Sequence, residues 1–456
     1  MNMMRYLIPI FFVTFFSCRT QEDAVNSEQT GTVSGSYPDR IMLTIPGDPA
    51  RSRAVSWRTA FEISNPVGQI VVQHPSPYLD KDAVTVKGHS APWDKESKDA
   101  MGHKVAFDNL QPGTRYAYRV GDGKHWSEWV QFTTSYDKPE RFGFLYFGDL
   151  QNEIKNYCSR VLRQAYTHFP DAEFMILAGD LVGRSYDHLW HDFFYAGGWI
   201  FGMLPSVPTP GNHEYFKDES GKRYLGNQWQ QIFTLPGNGP SEKFTNRVYY
   251  MDYQGVRFIS IDSPAMEQNP EDAVLILSWL DQTLEENPYK WAVVFTHYPV
   301  YSCSQGRDKD SYRDGLKPVL EKHGVDLVLQ GHDHTYCRGR NLPMVGSGCV
   351  NPPVYVVSVA GAKMYGLSTS LWSDRFGSEL QLYQYITIDN NKLNFECYTV
   401  TGELYDAFSL TKDDSGINDY QEAAIVKSIP VSVSIPEARK NAYSEEDLKT
   451  YEQKVK

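Results

Sequence analysis

The sequence has no run of lysine or arginine residues, and its 44 basic residues are outnumbered by 56 acidic ones, for a formal net charge of −12. Proteins that bind a nucleic-acid backbone or an anionic membrane surface carry clustered positive charge. The composition therefore indicates no nucleic-acid binding. An anionic ligand would have to be attracted locally, and bound metal ions supply large local positive charges.

Low-complexity blocks and membrane-spanning runs are missing as well. The apolar segment Tyr6–Phe16 is shorter than the roughly 20 residues of a spanning helix, and its position after Arg5 is typical of an export signal. Ser17 followed by Cys18 resembles a bacterial lipoprotein cleavage site. We expect an exported protein with Cys18 as its lipidation site, held at the cell envelope (periplasm or cell surface) only by a lipid anchor, with residues 19–36 as a flexible tether. Simple secretion is the alternative.

Cysteine is scarce, and none of it has zinc-ribbon spacing. The sequence has six cysteines, and the five that remain after Cys18 leave at least one thiol without an intrachain partner. Cys337 and Cys349 bracket a short glycine-containing loop and are a candidate disulfide, which an oxidising compartment permits. The sequence leaves the pairing open among Cys158, Cys303, Cys337, Cys349 and Cys397.

A length of 456 residues suits about two or three domains. Residues 37–136 contain about seven short strands with alternating polarity and no helical period, which predicts a small β-sandwich. Leu110–Tyr116 resembles the tyrosine corner of fibronectin type III domains, and Trp57 is the predicted core tryptophan. Because this region has no cluster of titratable groups, we interpret it as a scaffold or adaptor.

Residues 140–411 alternate apolar strands with helical segments, a pattern that predicts an α/β domain. Residues 412–456 are a charged C-terminal extension, with a short helix expected after Ser444 and no assigned chemistry. The loop at 216–246 is expected to form one wall of a site.

Ligands of open α/β sheets bind at the carboxyl ends of the strands. A glycine-aspartate pair after one strand, or one His-x-His, often only closes a turn or packs in a core. Asp262 also ends a strand, but the Ser263-Pro264 that follows is typical of a turn, and we exclude it. Five other strand ends carry polar side chains together, which favours one shared site: Asp149; Asp180; Asn212 and His213; His297; His332 and His334.

With His213 set aside, two aspartates, one asparagine and three histidines, without a thiolate, suit a pair of Fe, Mn or Zn ions better than calcium. Two such metals about 3.5–4 Å apart stabilise an in-line displacement at phosphorus. These residues therefore predict hydrolysis of a phosphate ester by attack of a metal-bound hydroxide.

The order of the motifs resembles the calcineurin-like metallophosphoesterases, and the preceding sandwich makes the arrangement similar to the purple acid phosphatases. The resemblance spans about residues 37–401 and rests on Gly148-Asp149, Gly179-Asp180, Gly211-Asn212-His213-Glu214, Thr296-His297 and Gly331-His332-Asp333-His334. It implies a fibronectin type III-like all-β sandwich followed by an α/β metallophosphoesterase domain of two mixed sheets flanked by helices. The implied activity is that of a metal-dependent phosphatase acting on phosphorylated small molecules, with phosphate monoesters as substrates.

The resemblance also implies roles for individual residues. His213 would hydrogen-bond the phosphate or protonate the leaving oxygen. Arg307 would contact phosphoryl oxygens, or it is a solvated loop charge. The implied metal ligands are Asp149 and His334 at the first metal, Asp180 as the bridge, and Asn212, His297 and His332 at the second metal.

Two positions depart from the family pattern. Gly183 stands where purple acid phosphatases have a metal-binding tyrosine, and we do not expect Tyr186 to replace it. Gln151 stands where many metallophosphoesterases have a histidine, and its amide oxygen is a weaker donor. We therefore expect the first metal to bind more weakly, or to be Mn or Mg rather than ferric iron, and we expect no tyrosinate-to-iron colour.

Two alternatives stay open at this point. A phosphodiesterase or nucleotide pyrophosphatase of the same superfamily would carry the same motifs. A non-catalytic surface binding protein would result if the altered first site had lost its metal.

Overall fold

The computed structural model describes residues 34–94, 98–304, 306–340, 349, 351–367, 372–413, 415–423 and 445. Cys18, most of the tether and the helix expected after Ser444 lie outside these ranges. Within them, no helix has the length and apolar character needed to cross a membrane.

The N-terminal domain is a β-sandwich of two four-stranded antiparallel sheets, ordered β1-β2-β6-β5 and β4-β3-β7-β8. Apolar side chains from both sheets form its core. The sandwich prediction is confirmed, and the added strand is the short β5, whose His-Ser-Ala-Pro sequence has no alternating pattern. The strands are β1 (Asp39–Thr44), β2 (Arg53–Ala60), β3 (Val67–Val72), β4 (Val84–Lys87), β5 (His89–Pro92), β6 (Ala100–Phe107), β7 (Arg115–Gly121) and β8 (Val130–Thr133).

Two predicted markers of the sandwich are present. The Tyr116 hydroxyl accepts a hydrogen bond from the Gln111 amide at 2.8 Å, which is the contact of a tyrosine corner. Trp57 is 1% exposed and lies in the core.

The C-terminal domain is α/β. Its helices are α1 (Ser159–His168), α2 (Asp187–Gly197), α3 (Ile200–Met203), α4 (Asn227–Ile232), α5 (Ser263–Gln268), α6 (Pro270–Glu285) and α7 (Asp310–Lys322). Its strands are β9 (Phe142–Phe147), β10 (Met175–Leu177), β11 (Ser206–Pro208), β12 (Tyr215–Lys217), β13 (Arg223–Leu225), β14 (Tyr249–Tyr253), β15 (Val256–Ile261), β16 (Trp291–Thr296), β17 (Leu327–Gln330), β18 (Tyr336–Gly339), β19 (Val354–Val357), β20 (Ser373–Gly377), β21 (Leu382–Asp389), β22 (Lys392–Thr399), β23 (Leu404–Lys412) and β24 (Asn418–Glu422).

Two seven-stranded mixed sheets make up this domain, ordered β11-β10-β9-β21-β22-β23-β24 and β14-β15-β16-β17-β19-β18-β20. They pack face to face, and the ring of Phe144 in the first sheet lies 5.2 Å from that of Phe258 in the second. Helices α6 and α7 cover the outer face of the second sheet. The predicted fold class is confirmed, and the carboxyl ends of β9, β10, β11, β16 and β17 meet at one edge.

Part of the predicted C-terminal extension belongs to the first sheet. Strand β24 pairs antiparallel with β23, and the Tyr420 ring stacks on Phe408 at 5.5 Å. Residues 418–422 therefore add an edge strand to the α/β domain.

The disulfide joins Cys303 to Cys337, with their Cα atoms 6.3 Å apart. The candidate disulfide between Cys337 and Cys349 is therefore wrong, and Cys349 is a half-buried free thiol. Strand β18 lies between β19 and β20, and this places Cys337 in an apolar cluster with Cys303, Val357 and Leu367. The length of the loop between Cys337 and Cys349 does not indicate which cysteines pack together in the folded chain.

The sandwich forms hydrogen bonds directly with the α/β domain. The Ser56 hydroxyl donates to the Ile232 carbonyl at 2.6 Å, and the Tyr118 hydroxyl donates to the Gly202 carbonyl at 2.7 Å. These buried bonds fix the orientation of the two domains.

Candidate metal centre

The strand ends bring donor atoms into two overlapping groups. One group contains Asp180, His297 and His332, and the other contains Asp149, Asp180 and His334. In each group the donor atoms all lie within 4.8 Å of one another. Asp180 belongs to both groups, so a single carboxylate stands between two sets of ligands.

The backbone at these positions is in the left-handed region. The φ angles are 50° at Asp180, 74° at His332 and 47° at His334. Each such residue costs about 1–3 kcal/mol, a strain that is typical of functional sites. Gly331 allows the close approach of the loop, because a Cβ atom there would lie 2.5 Å from Asp149 Oδ2.

Backbone carbonyls orient two of the histidines. Nδ1 of His297 donates to the Ala178 carbonyl at 2.9 Å, and Nδ1 of His334 donates to the Lys363 carbonyl at 2.8 Å. This leaves Nε2 of each ring directed at a carboxylate, at 3.2 Å from Asp180 and 3.4 Å from Asp149. Such carbonyl partners fix the tautomer that metal-binding histidines require.

The hydrogen bonding of Asp149 and the pKa values of Asp149 and His297 are those expected of a site that binds cations. Asp149 Oδ1 is buried and has no hydrogen-bond partner among the described residues, an arrangement that is costly unless a cation is bound. Burial raises the pKa of Asp149 to about 7. Burial alone would lower the pKa of His297, but the Asp180 carboxylate raises it to about 9. The Asp180 carboxylate thus favours a protonated His297, and metal binding would release that proton.

Two side-chain amides lie beside the two groups. Asn212 lies beside the group that contains His297, and Gln151 lies beside the group that contains His334. Asn212 Oδ1 lies 3.3 Å from His297 Nε2. The Gln151 amide nitrogen lies 2.8 Å from Asp180 Oδ2 and 2.9 Å from His334 Nε2, while its amide oxygen is buried without a partner. A half-turn of the amide exchanges these two atoms and directs the oxygen at the group formed by Asp149, Asp180 and His334.

His213 lies beside the two groups. Its backbone amide donates to Asp180 Oδ1 at 2.8 Å, and its ring Nδ1 donates to the Gly183 carbonyl. Nε2 is 3.9 Å from Asp180 Oδ2. The ring is partly exposed, as a group that meets a substrate must be.

Arg307 supports the loop that carries the histidine pair. Its Nε donates to Asp333 Oδ1 at 2.9 Å, and its Nη2 donates to the His332 carbonyl at 3.0 Å. The contacts with Asp333 and His332 hold the guanidinium, which is still partly exposed to solvent. Contact with phosphate stays a prediction.

Two supporting residues had no role in the sequence interpretation. The buried Glu214 carboxylate accepts backbone hydrogen bonds from Asp180 at 2.9 Å and Gly211 at 2.7 Å. The sequence feature that could have marked Glu214 is its position directly after Asn212 and His213. The Tyr365 ring packs 4.7 Å from that of His334, and no motif marks it.

Gly183 lies beside open space, since a Cβ atom there would meet only Leu189 Cδ1 at 3.9 Å. Asp262 takes no part in either group; it caps α5 and pairs with Arg247 at 2.9 Å. The 216–246 loop lines the site only through its first part, near Phe216, Lys217 and Arg223.

Comparison with known proteins agrees with this geometry. Residues 38–134 match the purple acid phosphatase N-terminal domain, and residues 142–336 match the calcineurin-like phosphoesterases. The chain combines a purple acid phosphatase N-terminal domain with a calcineurin-like phosphoesterase domain, and the relatives that it matches include purple acid phosphatases.

Individual relatives are distant. The chain is 25% identical over 347 residues to acid phosphatase type 7 of Danio rerio, across 67% of this chain and 72% of the relative. It is 26% identical over 322 residues to the probable inactive purple acid phosphatase 9 of Arabidopsis thaliana, across 60% of this chain and 48% of the relative. The structure of purple acid phosphatase PPD1 from yellow lupin (Lupinus luteus) seeds superimposes with a TM-score of 0.68 at 18% identity, across 89% of this chain and 79% of that one, which establishes a shared fold.

Proposed function

We propose that this chain is an exported dinuclear-metal phosphatase that hydrolyses phosphate monoesters. The observation that carries the proposal is the position of Asp180 in both donor groups. One carboxylate shared by two ligand sets is the arrangement that two adjacent cations require.

The donor sets divide around Asp180. Asp149, His334 and the amide oxygen of Gln151 would hold the first ion, and Asn212, His297 and His332 would hold the second. Such ions supply Lewis-acid polarisation of a phosphoryl group and lower the pKa of water. The first set has a neutral amide as its additional donor, so we expect it to be the weaker one.

His213 would move the proton in the reaction. Its Nδ1 is committed to the Gly183 carbonyl, so Nε2 is the atom that exchanges a proton with a substrate. The oxygen of water forms a bond to phosphorus, the bond from phosphorus to the ester oxygen breaks, and that oxygen takes the proton from Nε2. A proton of the attacking water then returns to Nε2, so that the products are an alcohol and inorganic phosphate. Arg307, beside the histidine loop, would orient phosphoryl oxygens.

The test is Asp180→Asn in the full chain, assayed with p-nitrophenyl phosphate and by elemental analysis. Removal of a supporting group costs roughly 10–100-fold, so loss of the shared ligand should cost more and should lower the metal content. Asp314→Asn, at an exposed position of α7, is the matched control. Wild-type protein loaded with metal that hydrolyses no phosphate ester would overturn the proposal.

A diesterase of the same superfamily remains a second candidate, because loops around the centre set the size of the substrate. Equal or faster hydrolysis of bis(p-nitrophenyl) phosphate would favour it. The weakened first donor set and the relative named as probably inactive support a third candidate, a non-catalytic binding protein. A metal content near zero together with no hydrolysis would favour that function.

Export and lipid attachment rest on the N-terminal segment, and the Cys303–Cys337 disulfide supports an oxidising compartment. We expect the full chain to partition into detergent when expressed in a bacterium, and Cys18→Ala to release it. Partitioning that is unchanged by Cys18→Ala would contradict lipid attachment at Cys18.

A further inference from the structure

Two aromatic rings are exposed at the carboxyl end of α2. Trp199 is 57% exposed and Tyr195 is 50% exposed. All ten tryptophans of the chain lie in the described residues, and Trp199 is the most exposed of them. Large aromatic side chains are normally buried because they remove a large apolar area from water. Two such rings exposed close together therefore indicate a surface that binds a partner.

The first helix of the α/β domain, α1, extends this surface. The ring of Trp199 meets that of Tyr166 edge-on, with their centres 5.0 Å apart, and the Lys155 ammonium lies 4.5 Å from the centre of the Tyr195 ring. Arg163 is exposed and precedes Tyr166 by three residues, so the two share one face of α1. We call Lys155, Arg163, Tyr166, Tyr195 and Trp199 the aromatic-basic patch.

The patch carries positive charge although the chain is acidic. The segment from Lys155 to His168 contains Lys155, Arg160 and Arg163 and no aspartate or glutamate, whereas the whole chain has a net charge of −12. Glu153 precedes this segment, and its carboxylate accepts a hydrogen bond from the Asn156 amide at 2.7 Å. A local group of cations attracts an anionic surface even when the net charge of the protein is negative.

The patch lies close to the start of the described chain. Pro38 and Trp199 line the same recess, which has a volume of about 200 Å³. Cys18, the expected lipidation site, precedes the first described residue, Ser34, by 16 residues. A segment of this length spans at most about 55 Å. A bilayer that held Cys18 would therefore lie within reach of the patch.

We infer that the aromatic-basic patch binds the surface of a phospholipid bilayer that contains anionic lipid. Tryptophan and tyrosine combine an apolar ring with a polar edge, and they favour the boundary between headgroups and acyl chains. Lys155 and Arg163 would contact the lipid phosphates beside these rings. Stable attachment to a membrane commonly takes two signals, and the patch adds the second one to the lipid anchor.

The inference rests on the proposed lipid attachment at Cys18 and is independent of the phosphatase activity. Another protein, or a second copy of this chain, is the competing occupant of an aromatic face. The basic segment in α1 and the short distance to the anchor favour the bilayer. The sequence pattern did not mark the patch, because Lys155 and Trp199 meet only through the packing of α1 against α2.

The first experiment reconstitutes the full, lipid-anchored chain into vesicles of brominated phosphatidylcholine and phosphatidylglycerol. Bromine quenches the fluorescence of a tryptophan that reaches the acyl chains, so the wild-type protein should be quenched and Trp199→Phe should lose the quenching. Trp279→Phe, at a half-buried position of α6, is the matched control and should leave the quenching unchanged. Absence of quenching in the wild-type protein, or equal quenching in Trp199→Phe, would overturn the proposal.

The second experiment removes the anchor. The chain produced from Arg19 onward contains every described residue and lacks Cys18. Its partition onto vesicles with phosphatidylglycerol should fall about tenfold in Trp199→Ala, the effect of one aromatic ring returned to water. It should fall about fivefold in Lys155→Gln, the effect of one cation lost near anionic headgroups. On vesicles of phosphatidylcholine alone, Lys155→Gln should have no effect.

Matched controls lie outside the patch. Tyr224→Ala removes a ring that is 53% exposed in the β12–β13 hairpin, and Lys392→Gln removes an exposed lysine of β22. Neither should change the partition. Equal losses in the control and patch variants, or a dimer in solution that Trp199→Ala dissociates, would overturn the bilayer as the occupant. Vesicle binding through the patch by a chain that carries no lipid at Cys18 would overturn only the anchor.

Discussion

The amide nitrogen of Gln151 lies 2.9 Å from Nε2 of His334. The two residues are far apart in the chain, and the first loop of the catalytic domain brings them together beside Asp180. Gln151 therefore contacts two members of the group formed by Asp149, Asp180 and His334.

Gln151→His should strengthen the first site, because an imidazole is a better donor for these metals than an amide. We expect the affinity for Mn²⁺ at that site to rise about tenfold, within the range by which groups around a metal alter its binding. Titration calorimetry measures the change, with Gln282→His on the exposed side of α6 as the control. Unchanged affinity would place Gln151 outside the metal centre.

Reconstitution with iron should give no intense visible band, since Gly183 supplies no phenolate. Gly183→Tyr should create the band, because a Cβ atom at this position meets only Leu189 at 3.9 Å. Gly183→Phe is the control that adds a ring without the phenol oxygen. A purple wild-type protein would contradict the prediction, and Tyr365→Phe would then test the ring beside His334.

Arg307→Ala should weaken metal binding as well as raise KM. The guanidinium holds Asp333 at 2.9 Å and the His332 carbonyl at 3.0 Å, so its loss frees the loop that carries both histidines. We expect metal affinity to fall about tenfold. Arg313→Ala removes a partly exposed arginine paired with Asp308 and serves as the control. A raised KM with unchanged metal affinity would restrict Arg307 to phosphate contact.

Asp187→Asn should destabilise the joint between the domains. Asp187 begins α2 and accepts hydrogen bonds from Arg40 at 2.6 Å and from the Trp93 indole at 2.7 Å, both from the sandwich. Breaking a buried ion pair costs about 3 kcal/mol in the free energy of unfolding. Urea unfolding at pH 7 measures the loss, and Asp192→Asn on the same helix is the control.

The effect of Asp187→Asn should depend on pH. Burial raises the pKa of Asp187, but the hydrogen bond and charge of Arg40 outweigh burial and hold the pKa below its usual value. Its stabilisation is therefore present above the unfolded pKa of about 3.9 and is lost as pH falls through the lower folded value. The difference between wild type and variant should shrink below about pH 4; a constant difference would show that the charge is not responsible.

The sequence by itself determined the two domains, the predicted strands of the site and the donor residues at their ends. Alternation, helical period and glycine-bounded strand ends are local properties, and each is visible within about ten residues of chain. The sandwich with its Trp57 core and the positions of Asp149, Asp180 and His297 at strand ends follow from such patterns.

Only the tertiary structure decided which distant residues meet. The pairing of Cys303 with Cys337 in place of Cys349, the contact of Arg307 with Asp333, and the ring of Tyr365 against His334 depend on how the sheets and loops pack. The order of strands β17, β19 and β18 in the sheet differs from their order in the chain, so spacing along the sequence does not predict these neighbours. Local pattern places a side chain at a strand end, whereas the packing of the sheets selects its partner.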